Sequence, residues 1–499
     1  MTAAQASGVR PKRLIVYQLL GKLETYRVTR YRVGGSGREV ESCFSSVAIA
    51  DHYAFDQGIS ECEIRFFAPI SLISPRTDSN GFLDLEVFRE KIDAWIRRVE
   101  KDVRWRAEIV PLPAFGSYKP EDGDQTVWTY NATLGSVAAA ALVDMLRSTH
   151  LIRERDQEVH LVLNVSTGHN SYIPSLIEAL KALLVLDGAL SLGKGGVVVD
   201  ACYAAVDAMR QEPGSVLNVY LLKTSAKFFI DYPFEWKDIG GKNYTLKELC
   251  RESANVLPET LKIEARPVLK RTNKVLVKGL KAFNAFRYGA PLALLDRRLI
   301  SLDSQEALGC AEEVLSLVDK ILRPTVSGTV ISVPYVDFNQ LRSLLIAFAI
   351  AAAISSKVSE LGDFDPQRGV PLETLERFSR LYEDLPELKI NSRLLSKELL
   401  ELKTLSSEVS STSWQKLKTL REQREAKSKE GALRKERPSR DDEKSEGKGY
   451  PQTSDEKRNF YAHAGLSRNE VEVMKEGEKI LLRYNEDRIP VIKNWLLEP

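Results

Sequence analysis

Short apolar runs alternate with helical segments along residues 13–223, and this alternation limits the possible folds of the chain more than any other feature. The runs at 13–20, RLIVYQLL, and at 158–165, EVHLVLNV, are almost continuously apolar, which is typical of strands buried on both faces. Between them stand helical patterns such as 82–101, FLDLEVFREKIDAWIRRVEK. The alternation predicts an α/β fold with a Rossmann-like parallel sheet and helices on both of its faces.

The strand pattern fades after about residue 236, and the remaining segments are mainly helical. A chain of 499 residues is too long for one compact core. We predict an α/β domain at 1–235, a partly helical connector at 236–280 and a mainly helical domain at 281–499. The segment 421–449 is nearly free of apolar residues, which favours a solvated helix followed by a mobile loop. Contact of its basic residues with RNA is the alternative interpretation.

Composition excludes some classes of protein. The net charge of +2 rules out a molecule that is polybasic overall, so a nucleic-acid surface has to be a local patch. The five cysteines are dispersed without a CxxC pair, which favours reduced thiols in a cytoplasmic protein over a disulfide framework or a zinc site. The longest apolar run, 344–354, is shorter than the roughly 20 residues that span a bilayer. We expect a buried helix there, no membrane attachment and a cytoplasmic location.

Polar residues follow the strand-like run at 158–165, in the sequence NVSTGHN at 164–170. In a parallel sheet, ligands bind beyond the carboxyl ends of the strands. Backbone N–H groups at the start of the next helix, together with the hydroxyls of Ser166 and Thr167, suit a phosphate or a ribose. An ordinary polar helix cap without a ligand fits the same residues, and the segment by itself does not decide between the two.

A second polar segment, SDEKRNFYAHAGL at 454–466, places an arginine and a histidine five residues apart. The residues TSDE at 453–456 form a capping box with Thr453 as the N-cap, and Gly465 suits the helix C-terminus. At about 100° per residue, Arg458 and His463 lie about 140° apart on this helix and flank one polar edge. One helix therefore offers half of a site, and two such helices facing each other across a dimer would enclose a cleft.

An ordinary helix end with a surface histidine is the alternative for this segment. His463 is, however, the only histidine after residue 169, and it stands close to Arg458 and Asn459. Histidine suits proton transfer at neutral pH, and a guanidinium suits the charge that builds on a pentavalent phosphate. RNA brings its own nucleophile, the 2′-OH. These groups fit metal-independent RNA cleavage that leaves a 2′,3′-cyclic phosphate, with Asn459 holding the histidine or a phosphate oxygen.

The segment RNFYAHAGL resembles the RxxxxH motif of HEPN ribonuclease domains, in the form R-N-x-x-A-H-x-G. The N-terminal half resembles the CARF sensor domain of type III CRISPR-associated ancillary ribonucleases, in which a segment D-x-T-H-G-x-N-x-x-P follows a central strand. Here Asn164 replaces the usual acid and Thr167 the usual histidine, and one extra residue separates Gly168 from Pro174. These departures leave the individual ligand contacts open, whereas the HEPN motif shows none.

The resemblance implies a homodimeric endoribonuclease that cleaves single-stranded RNA in antiviral defence when its CARF domain binds a cyclic oligoadenylate, with the cyclic tetra-adenylate favoured. It implies no metal and no further cofactor, and a small β-hairpin is expected after the active-site helix. The catalytic residues it implies are Arg458, Asn459 and His463. The ligand-binding residues it implies are Gly21, Ser45, Ser46, Ser166, Thr167, Gly168, His169 and Asn170.

Two other functions stay open at this point. A non-catalytic cyclic-nucleotide sensor could regulate a partner protein or transcription through its helical domain, but it leaves the arginine–histidine helix unexplained. A free-standing HEPN toxin would leave the α/β half without a role. The sequence does not determine the ring size of the activator, the RNA sequence preference, assembly beyond a dimer or whether the CARF domain degrades its activator.

Overall fold

The structure of the protein is a computed structural model. It describes residues 12–499 with the exception of 36, 101–103, 153–156, 166–169, 193–197, 208–214, 242–243, 363, 366, 384, 406–407, 410–412 and 434–451. At 386, 428–433 and 452–454 it describes the backbone but not the side chains.

Strands and helices alternate in the first part of the chain, as predicted. In chain order they are β1 Lys12–Leu19, β2 Thr29–Val33, β3 Glu39–Ser42, α1 Ser45–Asp56, β4 Glu61–Pro69, α2 Leu85–Val99, β5 Arg106–Leu112, β6 Gly116–Tyr118, β7 Trp128–Asn131, α3 Leu134–Ser148, β8 Glu158–Asn164, α4 Ile173–Leu190, β9 Val199–Val206 and β10 Val216–Thr224.

Helices dominate the rest of the chain. In chain order the elements are α5 Trp236–Ile239, α6 Leu246–Cys250, α7 Glu259–Arg287, α8 Pro291–Leu295, α9 Ser304–Ile321, β11 Thr325–Ser327, β12 Val330–Ser332, α10 Phe338–Leu361, β13 Val370–Pro371, α11 Leu372–Glu383, α12 Lys389–Leu405, β14 Gln415–Lys416, α13 Leu417–Leu433, α14 Gln452–Ala462, β15 Val471–Glu476, β16 Lys479–Tyr484 and α15 Ile489–Trp495.

One sheet of eight strands has the order β3-β2-β10-β9-β8-β1-β4-β5. The five strands from β9 to β5 in this order are parallel to their neighbours, which confirms the predicted Rossmann-like sheet. Strand β10 pairs antiparallel with β9, and β3 pairs antiparallel with β2, so the sheet as a whole is mixed. Strand β1 is buried from Arg13 to Leu19 without alternation, as expected for a central strand covered on both faces.

The order of the parallel strands defines a switch point between β1 and β8. Along the chain the sheet extends from β1 to β4 and β5 in one direction, and from β8 to β9 in the other. A crevice opens at the carboxyl ends of the two strands where such directions diverge. Gln18 of β1 and Asn164 of β8 are partners in the strand register at this end. By this rule the crevice is expected beside Gln18 and Asn164.

The chain divides into two compact units. The first consists of Met1–Phe229, Asn243–Thr272 and Leu308–Ile346, and the second of Ile230–Lys242, Asn273–Ala307 and Ala347–Pro499. The first unit holds the eight-stranded sheet and a small sheet of order β11-β12-β7-β6. The domain boundaries that we predicted at residues 235 and 280 stay predictions.

The second unit is mainly helical and contains one small sheet of order β13-β16-β15-β14. Strands β15 and β16 form an antiparallel hairpin directly after α14, and this confirms the small hairpin expected there. Of the charged segment 421–449, the residues up to 433 continue α13, and the side chains at 422–427 are exposed. Residues 434–451, where we predicted a mobile loop, lie outside the described residues.

Helix α10 contains the apolar run at 344–354. The helix has 24 residues and, judged by length and composition alone, could cross a membrane. Of its most apolar 18-residue stretch, 61% is buried inside the protein. The core helix of a soluble protein passes the same test, so the helix fits the predicted buried position. The expectation of no membrane attachment stays a prediction.

Candidate functional site

Helix α14 carries the arginine–histidine segment. It begins at Gln452, so Thr453 lies inside the helix and not at the predicted N-cap position. Helix limits vary by a residue or two with the hydrogen bonds of the first turn, and the side chain of Thr453 lies outside the described residues. Near the N-terminus of the helix, Arg488 donates to Glu456 at 2.8 Å and to Glu470 at 2.9 Å. These contacts fix the first described turn of α14 to the chain that follows the β15–β16 hairpin and to the turn before it.

The C-terminal end of α14 is set by backbone hydrogen bonds and by glycine. His463 follows the last helical residue, and its N–H still donates to the Asn459 carbonyl at 3.1 Å, so it continues the helical turn. Ala464 and Gly465 then adopt positive φ angles of 51° and 71°. The Gly465 N–H donates to the Phe460 carbonyl at 2.8 Å, which is the 6→1 bond of a Schellman motif. This motif confirms the predicted helix end and holds the backbone of His463 in place.

Glycine is required at position 465 for a further reason. A Cβ atom added there would lie 2.8 Å from the Cβ of Ala290, closer than real Cβ contacts allow. The Gly465 carbonyl also accepts a hydrogen bond from the hydroxyl of the buried Tyr484 at 3.0 Å. The turn after α14 is therefore packed tightly against its surroundings.

The imidazole of His463 is held by a carboxylate from another helix. Its Nδ1 lies 2.8 Å from Oε1 of Glu398, which belongs to α12. Only 4% of the Glu398 side chain is exposed, whereas 41% of the His463 side chain is. A carboxylate accepts hydrogen bonds, so Nδ1 carries the proton in this contact and Nε2 is left as the nitrogen that can exchange a proton with a substrate.

The buried charge of Glu398 is balanced by an arginine. Arg421, in the first turns of α13, donates from Nη2 to Oε2 of Glu398 at 3.0 Å, and 13% of its side chain is exposed. Its Nε also lies 3.1 Å from Oε1 of Glu401, which is more exposed. The second carboxylate oxygen of Glu398 is thus occupied, and its first oxygen is directed to His463. The arrangement is a relay of Arg421, Glu398 and His463 that fixes the orientation of the imidazole.

Sequence reasoning missed Glu398 and Arg421. Both belong to the second unit, but they lie 65 and 42 positions before His463 in the chain. One signal was present in α12, where Glu398 stands in the apolar stripe of Leu395, Leu399 and Leu402. A carboxylate in an apolar stripe needs a buried partner, and this indicates a structural or functional contact. Arg421 was assigned to a solvated charged segment, and the structure corrects this because its guanidinium balances a buried carboxylate.

Arg458 and Asn459 lie on the exposed side of α14. The structure records no hydrogen bond or ion pair for the Arg458 guanidinium with any of the residues that it describes. Phe460, the next residue, is fully buried, so the helix presents Arg458 and Asn459 outward while Phe460 anchors it. An exposed guanidinium without an internal partner is available to an external anion. The structure thus brings His463 to a supporting relay and leaves Arg458 open to a ligand.

Tyr461 is excluded as an alternative proton-transfer group. Its hydroxyl donates to the Trp495 carbonyl at 2.8 Å. Burial, and after it the nearby Tyr288, raises the pKa of Tyr461 well above its usual value. The phenol stays protonated at physiological pH, which leaves the imidazole of His463 as the candidate for proton transfer on this segment.

In the first unit, two of the predicted ligand-binding residues lie at the switch-point crevice. Ser45 and Ser46 begin α1. Asn164 at the end of β8 donates from Nδ2 to the Ser45 hydroxyl at 2.7 Å, and the Ser46 N–H donates to Oε1 of Gln18 at 3.0 Å. All four residues are buried. The structure therefore joins the start of α1 to the carboxyl ends of β1 and β8 by two hydrogen bonds.

The crevice contains two polar atoms without a recorded partner. The Ser46 hydroxyl and Nε2 of Gln18 are buried, and neither makes a hydrogen bond to another of the described residues. Residues 166–169 are outside the described part of the chain. Gln18 was not among the predicted residues. Its signal was a polar side chain near the end of an otherwise apolar strand.

The other predicted ligand-binding residues are placed differently. Gly21 follows β1 in a buried position, and its N–H donates to the Tyr26 hydroxyl at 3.0 Å, so that donor is already satisfied. Asn170 is exposed and begins the short turn before α4. Ser166, Thr167, Gly168 and His169 lie outside the described residues. No group of three His, Cys, Asp or Glu side chains is placed to bind a metal ion within the part of the chain that the structure describes.

Comparison with known protein families gives two matches. Residues 15–195 match the model described as CRISPR system endoribonuclease Csx1, CARF domain. Residues 388–486 match the model described as CRISPR system endoribonuclease Csx1, HEPN domain. The two matches together cover more than half of the chain, in the order expected from the sequence. Comparison with curated proteins gives no match.

Proposed function

The chain belongs to the Csx1 family of CRISPR system endoribonucleases, with a CARF sensor domain followed by a HEPN domain, and we propose that it cleaves single-stranded RNA without a metal ion when its CARF domain binds a cyclic oligoadenylate. The observation that supports the catalytic part most directly is the relay at His463. An imidazole held through Nδ1 by a buried carboxylate, with a free guanidinium on the same polar edge, is suited to general acid–base chemistry on a phosphodiester.

In the proposed reaction the 2′-OH of the RNA attacks the adjacent phosphorus, and the bond to the 5′-oxygen of the next nucleotide breaks. The products are a 2′,3′-cyclic phosphate and a 5′-hydroxyl. Nε2 of His463 exchanges a proton with the attacking or the leaving oxygen, and Arg458 stabilises the charge that develops on the phosphorane oxygens. Asn459, next to Arg458, holds a phosphate oxygen.

The geometry of α14 favours a composite site. Arg458 and His463 lie about 140° apart on the helix, so one copy surrounds a phosphate only on one side. Two copies facing each other across a two-fold axis present two arginines and two histidines to one phosphodiester. We therefore include a homodimer in the proposal.

The activator site is proposed at the crevice between β1 and β8. The start of α1 with Ser45 and Ser46 lies there, beside Gln18 and Asn164. Helix N-termini and hydroxyls suit the phosphates and riboses of a cyclic oligoadenylate. Binding of the ring and RNA cleavage need a coupling free energy of about 1–3 kcal/mol for the activator to regulate the nuclease.

The test is cleavage of a labelled single-stranded RNA with and without cyclic oligoadenylates of different ring sizes, in the presence of EDTA. We expect cleavage only with one ring size, cyclic tetra-adenylate being favoured, and products that end in a 2′,3′-cyclic phosphate. Arg458→Ala and His463→Ala should each lower cleavage at least about a hundredfold, since each removes a group of the transition state. Both should bind the activator as the unchanged protein does. Full cleavage by either variant, or loss of cleavage in EDTA, contradicts the proposal.

Mixed dimers test the composite site. A dimer formed from one Arg458→Ala chain and one His463→Ala chain retains one arginine and one histidine in the shared cleft. We expect it to regain part of the activity that both parent dimers lack. Absence of any recovery in purified mixed dimers contradicts a site shared between two chains.

A further inference from the structure

A cleft of about 570 Å³ opens directly beside Arg458. All of its walls belong to the second unit, and they come from α14 and from α15 with the residues that follow it. The lining residues are Lys457, Arg458, Tyr461, Asn494, Trp495, Glu498 and Pro499. Such a volume lies in the range of sites that hold one small organic ligand.

The position of the cleft on α14 relates it to the catalytic residues. At about 100° per residue, Tyr461 and Lys457 lie roughly 60° and 100° from Arg458 on one side of the helix. Asn459 and His463 lie roughly 100° and 140° from Arg458 on the other side. Arg458 therefore forms the border between the cleft and the edge that carries His463. A phosphate bound by Arg458 would have one neighbouring nucleoside on the side of the cleft.

The aromatic part of the cleft is rigid. The Tyr461 hydroxyl is bound to the Trp495 carbonyl, and the Tyr461 ring contacts the ring of Tyr288 at a centroid distance of 5.3 Å. The Trp495 ring packs against the buried Phe460 at 5.3 Å. These contacts hold the walls in place without a ligand, so little conformational entropy is lost when a flat group enters. Aromatic walls of this kind are sequence-tolerant partners for nucleobases.

The polar part of the cleft matches a nucleotide. Lys457 and Arg458 bring two positive charges to the lining of the cleft, which suits phosphate oxygens. Asn494 is exposed, and its amide offers two donors and an acceptor, which suits a base edge. Glu498 adds a carboxylate that can accept from an exocyclic amino group. A cation pair, aromatic walls and an exposed amide in one cleft indicate a nucleotide more specifically than any of them alone.

We propose that this cleft holds the nucleoside next to the scissile phosphate and that Asn494 makes cleavage depend on the base at that position. The proposal rests on the ribonuclease function proposed above and adds a substrate subsite to it. Lys457 binds the phosphate on the far side of this nucleoside from Arg458. Tyr461 and Trp495 form the wall against which the nucleoside packs.

The experiment uses Asn494→Ala and Lys457→Gln in the full-length protein, each with a matched control. Asn469→Ala and Lys479→Gln change exposed residues of the same unit that do not line the cleft. Cleavage positions are mapped on a single-stranded RNA of mixed sequence in the presence of the activator. Affinity for the same RNA is measured by fluorescence anisotropy in a His463→Ala background, where the RNA stays intact.

We expect Asn494→Ala to flatten the base preference at one position beside the cut and to weaken RNA binding about two- to tenfold, the contribution of one hydrogen-bonded contact. Lys457→Gln should weaken binding of all sequences alike and reduce the salt dependence of binding by about one phosphate contact. The controls should behave as the parent protein. Unchanged base preference and affinity in both cleft variants, or equal losses in the controls, overturn the subsite.

The two proposals fail in different ways. If the unchanged protein does not cleave RNA with any cyclic oligoadenylate, the proposed function fails, and the subsite beside a scissile phosphate fails with it. The anisotropy measurement then decides only whether the cleft binds a nucleotide of RNA. If RNA is cleaved but Asn494→Ala and Lys457→Gln cut the same positions with the same affinity, the function stands and the subsite is wrong.

Discussion

Replacement of Glu398 by glutamine tests the relay that orients His463. The change keeps the size and shape of the side chain and removes its charge. A carboxylate presents one oxygen to Arg421 and the other to His463, whereas a glutamine has a single acceptor oxygen and can accept at that oxygen from only one side. If its amide group faces Nδ1, that nitrogen becomes an acceptor and the proton moves to Nε2, the nitrogen needed for substrate.

The size of the effect follows from the two contacts and from the burial of Glu398. Hydrogen bonds to a charged group contribute about 1.5–3 kcal/mol and neutral ones about 0.5–1.5 kcal/mol. With Glu398 only 4% exposed and 2.8 Å from Nδ1, solvent screens this contact little. Replacing the carboxylate removes about 1–2 kcal/mol of stabilisation from the state in which the imidazole is protonated. This corresponds to a rate of RNA cleavage about five- to thirtyfold lower.

The chain offers a matched control for this variant. Glu401 lies on the same helix and contacts the same Arg421 at 3.1 Å, but no contact with His463 is recorded for it in the described chain. We expect Glu401→Gln to cleave RNA within about threefold of the unchanged protein. The assay is steady-state cleavage of a labelled RNA at saturating activator, with thermal unfolding measured on the same samples.

A positioning role and a purely structural role give different results. If Glu398 positions the imidazole, its replacement lowers kcat and leaves KM and the activator affinity unchanged. If its role is purely structural, the replacement lowers the fraction of active protein and the unfolding temperature. The reasoning is refuted if Glu398→Gln cleaves RNA within about threefold of the unchanged protein while folded. It is also refuted if Glu401→Gln loses as much activity as Glu398→Gln, since the effect then comes through Arg421.

Three further predictions concern stability and activation. Gly465→Ala should lower the free energy of unfolding by more than about 1 kcal/mol, because residue 465 has a positive φ and an added Cβ would lie 2.8 Å from the Cβ of Ala290. Gly477 also has a positive φ but no atom within 4 Å of an added Cβ, so Gly477→Ala should cost less. Equal losses of stability in thermal unfolding would contradict the packing argument. Burial, and after it the charge of Lys493, lowers the pKa of Lys281, so between that lowered pKa and the usual value of 10.5 the folded state binds fewer protons than the unfolded state. The charge on Lys281 therefore destabilises the folded state fully below this pH window, and the destabilisation disappears as pH rises through it. Lys281→Gln should raise the unfolding temperature at pH 7 by more than it does near pH 10. Ser45→Ala removes the acceptor of a buried hydrogen bond at the proposed activator site. It should raise the activator concentration that gives half-maximal cleavage and leave kcat at saturating activator unchanged. A lowered kcat without a shift in that concentration would argue against the site.

Local patterns in the sequence were enough for several parts of this protein. Continuous apolar runs identified β1 and β8, and their alternation with helices predicted the parallel sheet. The pattern of a capping box and a glycine located the start of α14 to within two residues and predicted its end. These features depend on residues that are neighbours in the chain, so periodicity and turn chemistry specify them before any packing is known.

Other features depend on contacts between distant segments, and only the tertiary structure decided them. The sequence did not show that β10 would lie between β2 and β9 and run antiparallel to β9, because the neighbours of a strand are set by the tertiary fold. Nor did it show which polar residues would meet at the crevice, where Gln18 of β1 contacts Ser46 of α1.

The arginine–histidine segment separates the two kinds of information most clearly. The sequence by itself determined that Arg458 and His463 share one polar edge of a helix, because their spacing fixes the angle between them. Only the tertiary structure decided that the imidazole is held by Glu398 and that Arg421 balances this buried carboxylate. A charge can be buried only where a partner is packed against it. Glu398 and Arg421 lie 65 and 42 positions before His463 in the chain, and no local pattern reaches over such distances.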